Sequence, residues 1–291
     1  MCRTIETTAL AKINLSLSVG LPIEKKGMMH PIATLMSTID FCDVLTVTRL
    51  DEGDLSRYAI LWNEDARQKT PIDWLITSDL AVRAHRYLEA KVGHPLPVQL
   101  KLEKRIPVGA GLGGGSSDAA AMLRATAALF DLDVDLHAIG VSIGSDIPFL
   151  IGGGTQLVTG FGEILEPIDE ENRSLVLVLP AYGCPTGKVY GAFDELSSAK
   201  LDLERVRRGD IFNDLTNAAM EISEELSNDM ARLQSIAKEE VHLSGSGSSM
   251  FVICDNTMHA EALAPLIEEK TGLVAIATKT IVPAMEMEKT E

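Results

Sequence analysis

The stretch Ile106-Pro-Val-Gly-Ala-Gly-Leu-Gly-Gly-Gly-Ser-Ser-Asp-Ala-Ala-Ala121 decides how the rest of the chain is read. Five glycines (Gly109, Gly111, Gly113, Gly114 and Gly115) fall within seven residues, and Ser116, Ser117 and Asp118 follow them. The next residues, Ala119 to Phe130, are strong helix formers. Glycine allows positive φ and lets a bulky anion approach the backbone without a Cβ in the way. The pattern predicts a helix whose N-cap and first turn hold Ser116, Ser117 and Asp118. The unpaired N–H groups of a first turn, with the positive end of the helix dipole, form a phosphate site. The stretch reads as a nucleotide phosphate cradle.

Two other glycine motifs fit less well. Gly109-Ala-Gly-Leu-Gly-Gly114 matches G-x-G-x-x-G, but it follows the charged segment Lys101-Leu-Glu-Lys-Arg-Ile-Pro107. No acidic residue ends a second strand about 20 residues on, as the ribose contact of dinucleotide enzymes requires. A P-loop ends in Gly-Lys-Ser/Thr, and no lysine lies between Gly109 and Arg124.

The 291 residues are 46% hydrophobic and 23% charged, the composition of an ordinary globular protein with ample core. A net charge of −16, with no basic run beyond two residues, argues against binding a nucleic-acid backbone. An acidic chain that binds a nucleotide must concentrate its few cations, which draws attention to lysines near the glycine loop. Cys2, Cys42, Cys184 and Cys254 are scattered without a C-x-x-C, the pattern of reduced thiols in a cytoplasmic protein. No apolar run reaches membrane-spanning length and no export signal is visible, so neither membrane nor secretion is expected.

Along the chain, Thr7 to Gly20 alternates as a strand with Lys12 and Asn14 on one face, which taken alone fits a solvated face. Pro22 to Pro31 reads as a loop, Ile32 to Leu50 as strand broken around Asp40 and Asp43, and Asp51 to Asp73 as polar loop or hairpin. A helix over Ser78 to Lys91 has Ser78 as its N-cap, and Val98 to Leu102 leads as a strand into the glycine loop. Asp131 to Gly140 holds a short helix. Asp146 is the only formal charge between Asp135 and Glu163; it is either a cap before Pro148 or a partly buried carboxylate with work to do.

The second half reads as a strand (Ser174 to Pro180) and a helix capped by Thr186 that runs to Leu196. Helical stretches follow from Asn213 and over Asp229 to Lys238. Val241 to Cys254 is strand, glycine-serine turn and strand. Then come a helix from His259 to Thr271, a strand through Ile281, and a charged tail from Glu286 to Glu291 expected to fray. This alternation predicts a two-lobed α+β protein.

Taken together, Pro107-Val-Gly-Ala-Gly-Leu-Gly-Gly-Gly-Ser-Ser-Asp118 resembles the signature of the GHMP (galactose, homoserine, mevalonate, phosphomevalonate) kinases. Ala11-Lys-Ile-Asn-Leu15, His30, Asp40, Ile143-Gly-Ser-Asp-Ile-Pro148, Gly160-Phe-Gly-Glu163, Asn213-Asp-Leu215 and Ser244-Gly-Ser-Gly247 follow in that family's order. They are most similar to its branch that phosphorylates a cytidine-diphosphate-linked polyol in non-mevalonate isoprenoid synthesis.

The resemblance implies a two-lobed fold, with an ATP-binding N-terminal lobe over 1–158 and a smaller C-terminal lobe over 159–286. It implies ATP and Mg²⁺ as cofactors, a small alcohol as partner, and a monomer or homodimer. Lys12 and Asp146 would be catalytic, the lysine stabilising the transferring phosphoryl group and the aspartate acting on the acceptor hydroxyl, in keeping with a reaction that depends on positioning and charge neutralisation. Pro107, Gly109, Gly111, Leu112, Gly113, Gly114, Gly115, Ser116 and Ser117 would hold the phosphates, with Ser117 near the metal. Lys104 would lie close to adenine, and Gly245 to Ser248 would buttress the phosphate site. Asn14, Met29, His30 and Tyr190 would bind the acceptor.

The chain departs from the family's usual Asp-Gly-Tyr-His at Gly27-Met28-Met29-His30, and from its usual Asn-Leu at Asp79-Leu80. The missing tyrosine is one that stacks on cytosine. Met29 can replace it with a sulfur–aromatic contact of about 0.3–1.5 kcal/mol, and Tyr190 falls where a second stacking aromatic is expected. A non-catalytic relative would have lost Lys12, Asp146 or loop glycines, and all are present. The remaining alternative is a kinase of the same fold that acts on another small alcohol.

Overall fold

Two long antiparallel strands, β1 (Thr4–Val19) and β2 (Ile32–Arg49), form the spine of the first sheet. In this computed structural model the described residues are 3–169, 172–196 and 200–281, with the backbone of 288–290. β3 (Arg57–Trp62) and β4 (Val98–Lys104) extend the sheet as a parallel pair on the C-terminal half of β2. β5 (Thr155–Gly160) lies along its N-terminal half and carries β6 (Ile164–Pro167).

The expected break near Asp40 and Asp43 is therefore a change of partner within an unbroken strand. β5 pairs with residues 32–37 of β2, and β4 with residues 44–49. β3 falls in the stretch expected to be loop or hairpin. Its pairing with β4 across about 40 residues of chain leaves no local signal.

Helices α1 (Leu80–Val92), α2 (Gly114–Leu129), α3 (Leu136–Ile143) and α4 (Ile147–Gly152) follow in this half. Ala119, Ala120, Leu123, Leu88, Ile147 and Phe149 are buried together where they pack. The cap of α1 is Asp79 rather than Ser78, its carboxylate accepting from Ala81 N at 2.9 Å. α2 begins at Gly114, with Gly113 as a cap in the left-handed region and no side-chain cap, so Ser116 and Ser117 lie inside the first turn. A carboxylate or hydroxyl folded over those amides would have competed with an anion.

The second sheet runs β11 (Val274–Lys279), β7 (Ser174–Leu179), β10 (Met250–Cys254), β9 (Val241–Leu243), antiparallel throughout. α5 (Thr186–Leu196), α6 (Leu203–Arg207), α7 (Thr216–Ile222), α8 (Glu224–Ile236) and α9 (Thr257–Thr271) accompany it. β8 (Phe212–Asn213) returns to pair with β1. β6 still belongs to the first sheet, and β7 is the first strand of the second.

The tail differs from its expected fraying: β12 (Glu288–Thr290) pairs with the start of β1, while residues 286, 287 and 291 lie outside the described residues. Cys2 also lies outside them, and Cys42, Cys184 and Cys254 are free thiols. No helix among the described residues is long and apolar enough to cross a membrane.

Candidate active site

A cavity of about 970 Å³ opens where β1, the N-terminus of α2, the start of α1, α5 and the Gly245–Ser246 turn converge. Pro107, Gly109, Gly111, Leu112, Gly113, Gly114, Gly115 and Ser116 all line it. The loop glycines answer local steric demands. Gly111 has φ +77°, and a Cβ there would stand 2.3 Å from Ser244 O. Gly113 has φ +67°, and its Cβ would press on Lys12 Cγ at 3.0 Å. Ser244 Oγ donates to Gly111 O at 3.0 Å, so the glycine-serine turn between β9 and β10 does lie against the loop.

Lys12 and Asn14 share one face of β1, as the alternation predicts, but that face is buried and turned to the cavity rather than solvated. Lys12 Nζ donates to Asn14 Oδ1 at 2.8 Å and to Gly111 O at 3.0 Å, and lies 3.9 Å from Asp146 Oδ2. Asn14 Nδ2 donates to Thr34 Oγ1 at 2.8 Å, which fixes the amide with its oxygen towards the lysine. Burial draws the Lys12 pKa below its ordinary value, and Asp146 partly opposes that. Asp146 precedes α4 without capping it by a side-chain hydrogen bond, leaving its half-buried carboxylate to face Lys12.

Ser117 turns away from the cavity, whereas Lys104 is held within its wall. Ser117 is 2% exposed and its hydroxyl donates to Leu10 O at 2.7 Å, away from the cavity; Ser116 is the serine that lines it. Lys104 lines the cavity, but its ammonium donates to Asp43 Oδ2 and Asp118 Oδ2, both at 2.6 Å. Burial disfavours the Lys104 ammonium, yet Asp118 and Asp43 outweigh it and raise the pKa above that of an ordinary lysine.

Asp43 comes from β2 at the point where its pairing with β4 ends. Its Oδ1 accepts from Arg105 N and, at 2.8 Å, from Ile106 N, extending the ladder with a side chain. The entry to the glycine loop and the first turn of α2 are thus tied to one buried charge cluster. Sequence reasoning missed it, because Asp43 carries no local mark of a partner some 60 residues away.

At the far end of the cavity His30 Nε2 lies 2.8 Å from Asp194 Oδ1, and its ring centroid is 4.9 Å from that of Tyr190. Burial, with Asp146 adding to it, pushes the Tyr190 phenol up to about 12, so it stays neutral. Asp194 was also missed, although it stands one helical turn after Tyr190 on the same face of α5. Met28 and Met29 line this end and are 56% and 47% exposed. Phe161, in the quoted Gly-Phe-Gly-Glu turn, lines the cavity as well.

Residues 79–154 match the family model for the GHMP kinases N terminal domain. The chain is 35% identical to the 4-diphosphocytidyl-2-C-methyl-D-erythritol kinase of Polaromonas naphthalenivorans, over 84% of this chain and 83% of that one. It is 34% identical to the enzyme of that name from Thermus thermophilus, over 89% and 91%. The chain belongs to the 4-diphosphocytidyl-2-C-methyl-D-erythritol kinase family.

A crystal structure of 4-(cytidine 5'-diphospho)-2C-methyl-D-erythritol kinase matches with a TM-score of 0.77 at 32% identity, covering 95% of this chain and 99% of that one. A crystal structure of L. major mevalonate kinase in complex with R-mevalonate shares the fold, with a TM-score of 0.69 at 14% identity, covering 96% of each chain. GHMP kinases use ATP as phosphate donor. In this family member the glycine loop lies beside the Lys12–Asp146 pair.

Proposed function

We propose that this protein transfers the γ-phosphoryl group of ATP to a hydroxyl of 4-diphosphocytidyl-2-C-methyl-D-erythritol, in non-mevalonate isoprenoid precursor synthesis. The observation that carries the reading is the Lys12–Asp146 pair, 3.9 Å apart, between an uncapped helix N-terminus and a pocket holding His30 and Tyr190.

The acceptor oxygen forms a bond to the γ-phosphorus as the bond from that phosphorus to the β–γ bridging oxygen breaks, and ADP leaves. Asp146 takes the hydroxyl proton, and Lys12 offsets negative charge on the transferring group. The glycine-loop residues and Ser116 hold the phosphates through backbone N–H groups. His30, oriented by Asp194, and Tyr190 with Met29 hold the cytosine.

The donor set fits Mg²⁺ bound mainly through phosphate oxygens. No group of three His, Cys, Asp or Glu suited to a metal occurs among the described residues, and Mg²⁺ usually takes only one or two protein ligands beside substrate phosphates and water. Ser116, which lines the cavity, would be the hydroxyl to hold the ion, and the ion would supply neutralisation of phosphate charge.

The test is ADP release from Mg-ATP with 4-diphosphocytidyl-2-C-methyl-D-erythritol, beside a panel of other alcohols. Turnover with the cytidine compound is expected. Asp146→Asn should lower kcat by about 10²–10⁴-fold, the span of general-base catalysis, while ADP still binds. Activity confined to another alcohol would favour the second reading, a kinase of the same fold with a changed acceptor. The exposed Met28-Met29 pair is the feature that favours it.

A further inference from the structure

The first turn of α2 has two flanks. On one, a Cβ at Gly113 would stand 3.0 Å from Lys12 Cγ; on the other, a Cβ at Gly115 would stand 3.3 Å from Leu80 Cδ1. Phosphates at this turn must present their reacting end to Lys12 and Asp146. The nucleoside therefore extends past Leu80, into the end of the cavity walled by Trp74, Ser78 and Val108.

The polar side chains of that wall are largely engaged with each other. Asp79 Oδ1 accepts from Ala81 N at 2.9 Å, and Asp79 Oδ2 accepts from the Trp74 indole N–H at 3.2 Å. Lys104 is taken up by two carboxylates. The segment before Trp74 is moored to the loop, since Thr70 Oγ1 accepts from Val108 N at 3.1 Å and Thr70 O accepts from the Trp62 indole at 3.0 Å. What this wall offers a base is an aromatic surface, fixed by its N–H at one edge, beside the apolar Leu80, Ile106 and Val108. A half-buried tryptophan with its single donor satisfied is a low-entropy platform, and stacking on it requires only the π-face that every base has.

We propose that Trp74 is the residue on which the donor's base stacks, with Asp79 as the positioning residue that holds the indole. The inference rests on the phosphoryl-transfer reading above, and adds a contact for the nucleoside that the glycine loop cannot supply.

The chain has two tryptophans, and Trp62 does not line the cavity, so fluorescence separates them. In Trp62→Phe, titration with ADP should give a saturable change in tryptophan emission; in Trp74→Phe that change should vanish, with ADP affinity by calorimetry within about threefold of wild type because a ring remains to stack. Trp74→Ala should weaken ADP binding about tenfold or more, the loss of one base–aromatic stack. Pyrophosphate, which has no base, should bind Trp74→Ala as it binds wild type.

Unchanged ADP affinity in Trp74→Ala overturns the proposal. So does a pyrophosphate affinity that falls by the same factor, because the substitution would then act through the loop. Wild-type protein that binds ADP with the Trp74 signal but turns over none of the panel would overturn the acceptor reading and leave this one standing.

Discussion

At its donor end the cavity is walled by main chain: glycines in conformations other residues avoid, an uncapped helix start, and beneath them Asp43, Lys104 and Asp118 in contact at 2.6 Å. At its acceptor end the wall is side chains drawn from distant segments, with His30 on Asp194 at 2.8 Å, Tyr190 beside them, and two exposed methionines. On the proposed reading the first end needs a fixed shape, because phosphates there would be held by many weakly directional N–H groups whose placement must not drift. On the same proposed reading the second discriminates between alcohols, which side chains can change one at a time. A substitution beneath the loop should therefore cost stability and donor binding together, whereas one at the acceptor end should move a single KM.

The largest effect is expected from Lys104→Met. It leaves Asp43 and Asp118 buried without their cation, and breaking a buried charge cluster in this way costs about 3–5 kcal/mol. Urea unfolding should show that loss; a change below about 1 kcal/mol, the size of a surface pair, would mean the cluster does not hold the loop.

Next in size is the pH response of Lys12, which sits between the two ends. Burial lowers its pKa from the ordinary 10.5, so the ammonium is complete below the lowered value and is lost as pH rises through it. The alkaline limb of kcat/KM for ATP, which reports the free enzyme, should fall below pH 10.5, and Lys12→Arg should move it upward. An alkaline limb that Lys12→Arg leaves in place would remove the lysine from the rate.

The smallest effect belongs to the acceptor end. Asp194→Ala should raise the KM for the cytidine substrate about three- to tenfold, the net worth of one hydrogen bond, and leave the KM for ATP as it was. Equal rises in both would erase the contrast between the ends.

These differences track what could be read from residue order. Gly109 to Asp118 was legible because a positive φ is a property of residue type, and because a helix start depends on a few neighbouring residues. The face shared by Lys12 and Asn14 was legible for the same reason, as strand alternation is local. Its burial was not, since that depends on what packs over it. Ser117 sits in the expected stretch, yet its hydroxyl turns away from the cavity. A hydroxyl within a helical turn has several acceptors in reach, and Leu10 O from β1 is the one that tertiary packing supplies.

The amino-acid order by itself determined a glycine loop followed by a helix, a mixed α+β chain and the family to which it belongs, because each rests on short-range stereochemistry and spacing. Only the tertiary structure decided that β2 changes partners at Asp43, that Lys12 meets Asp146, and that His30 leans on Asp194. Those contacts depend on strand register and on helices docking from elsewhere in the chain. No window of sequence contains both partners, so the energies that select them exist only in the folded state.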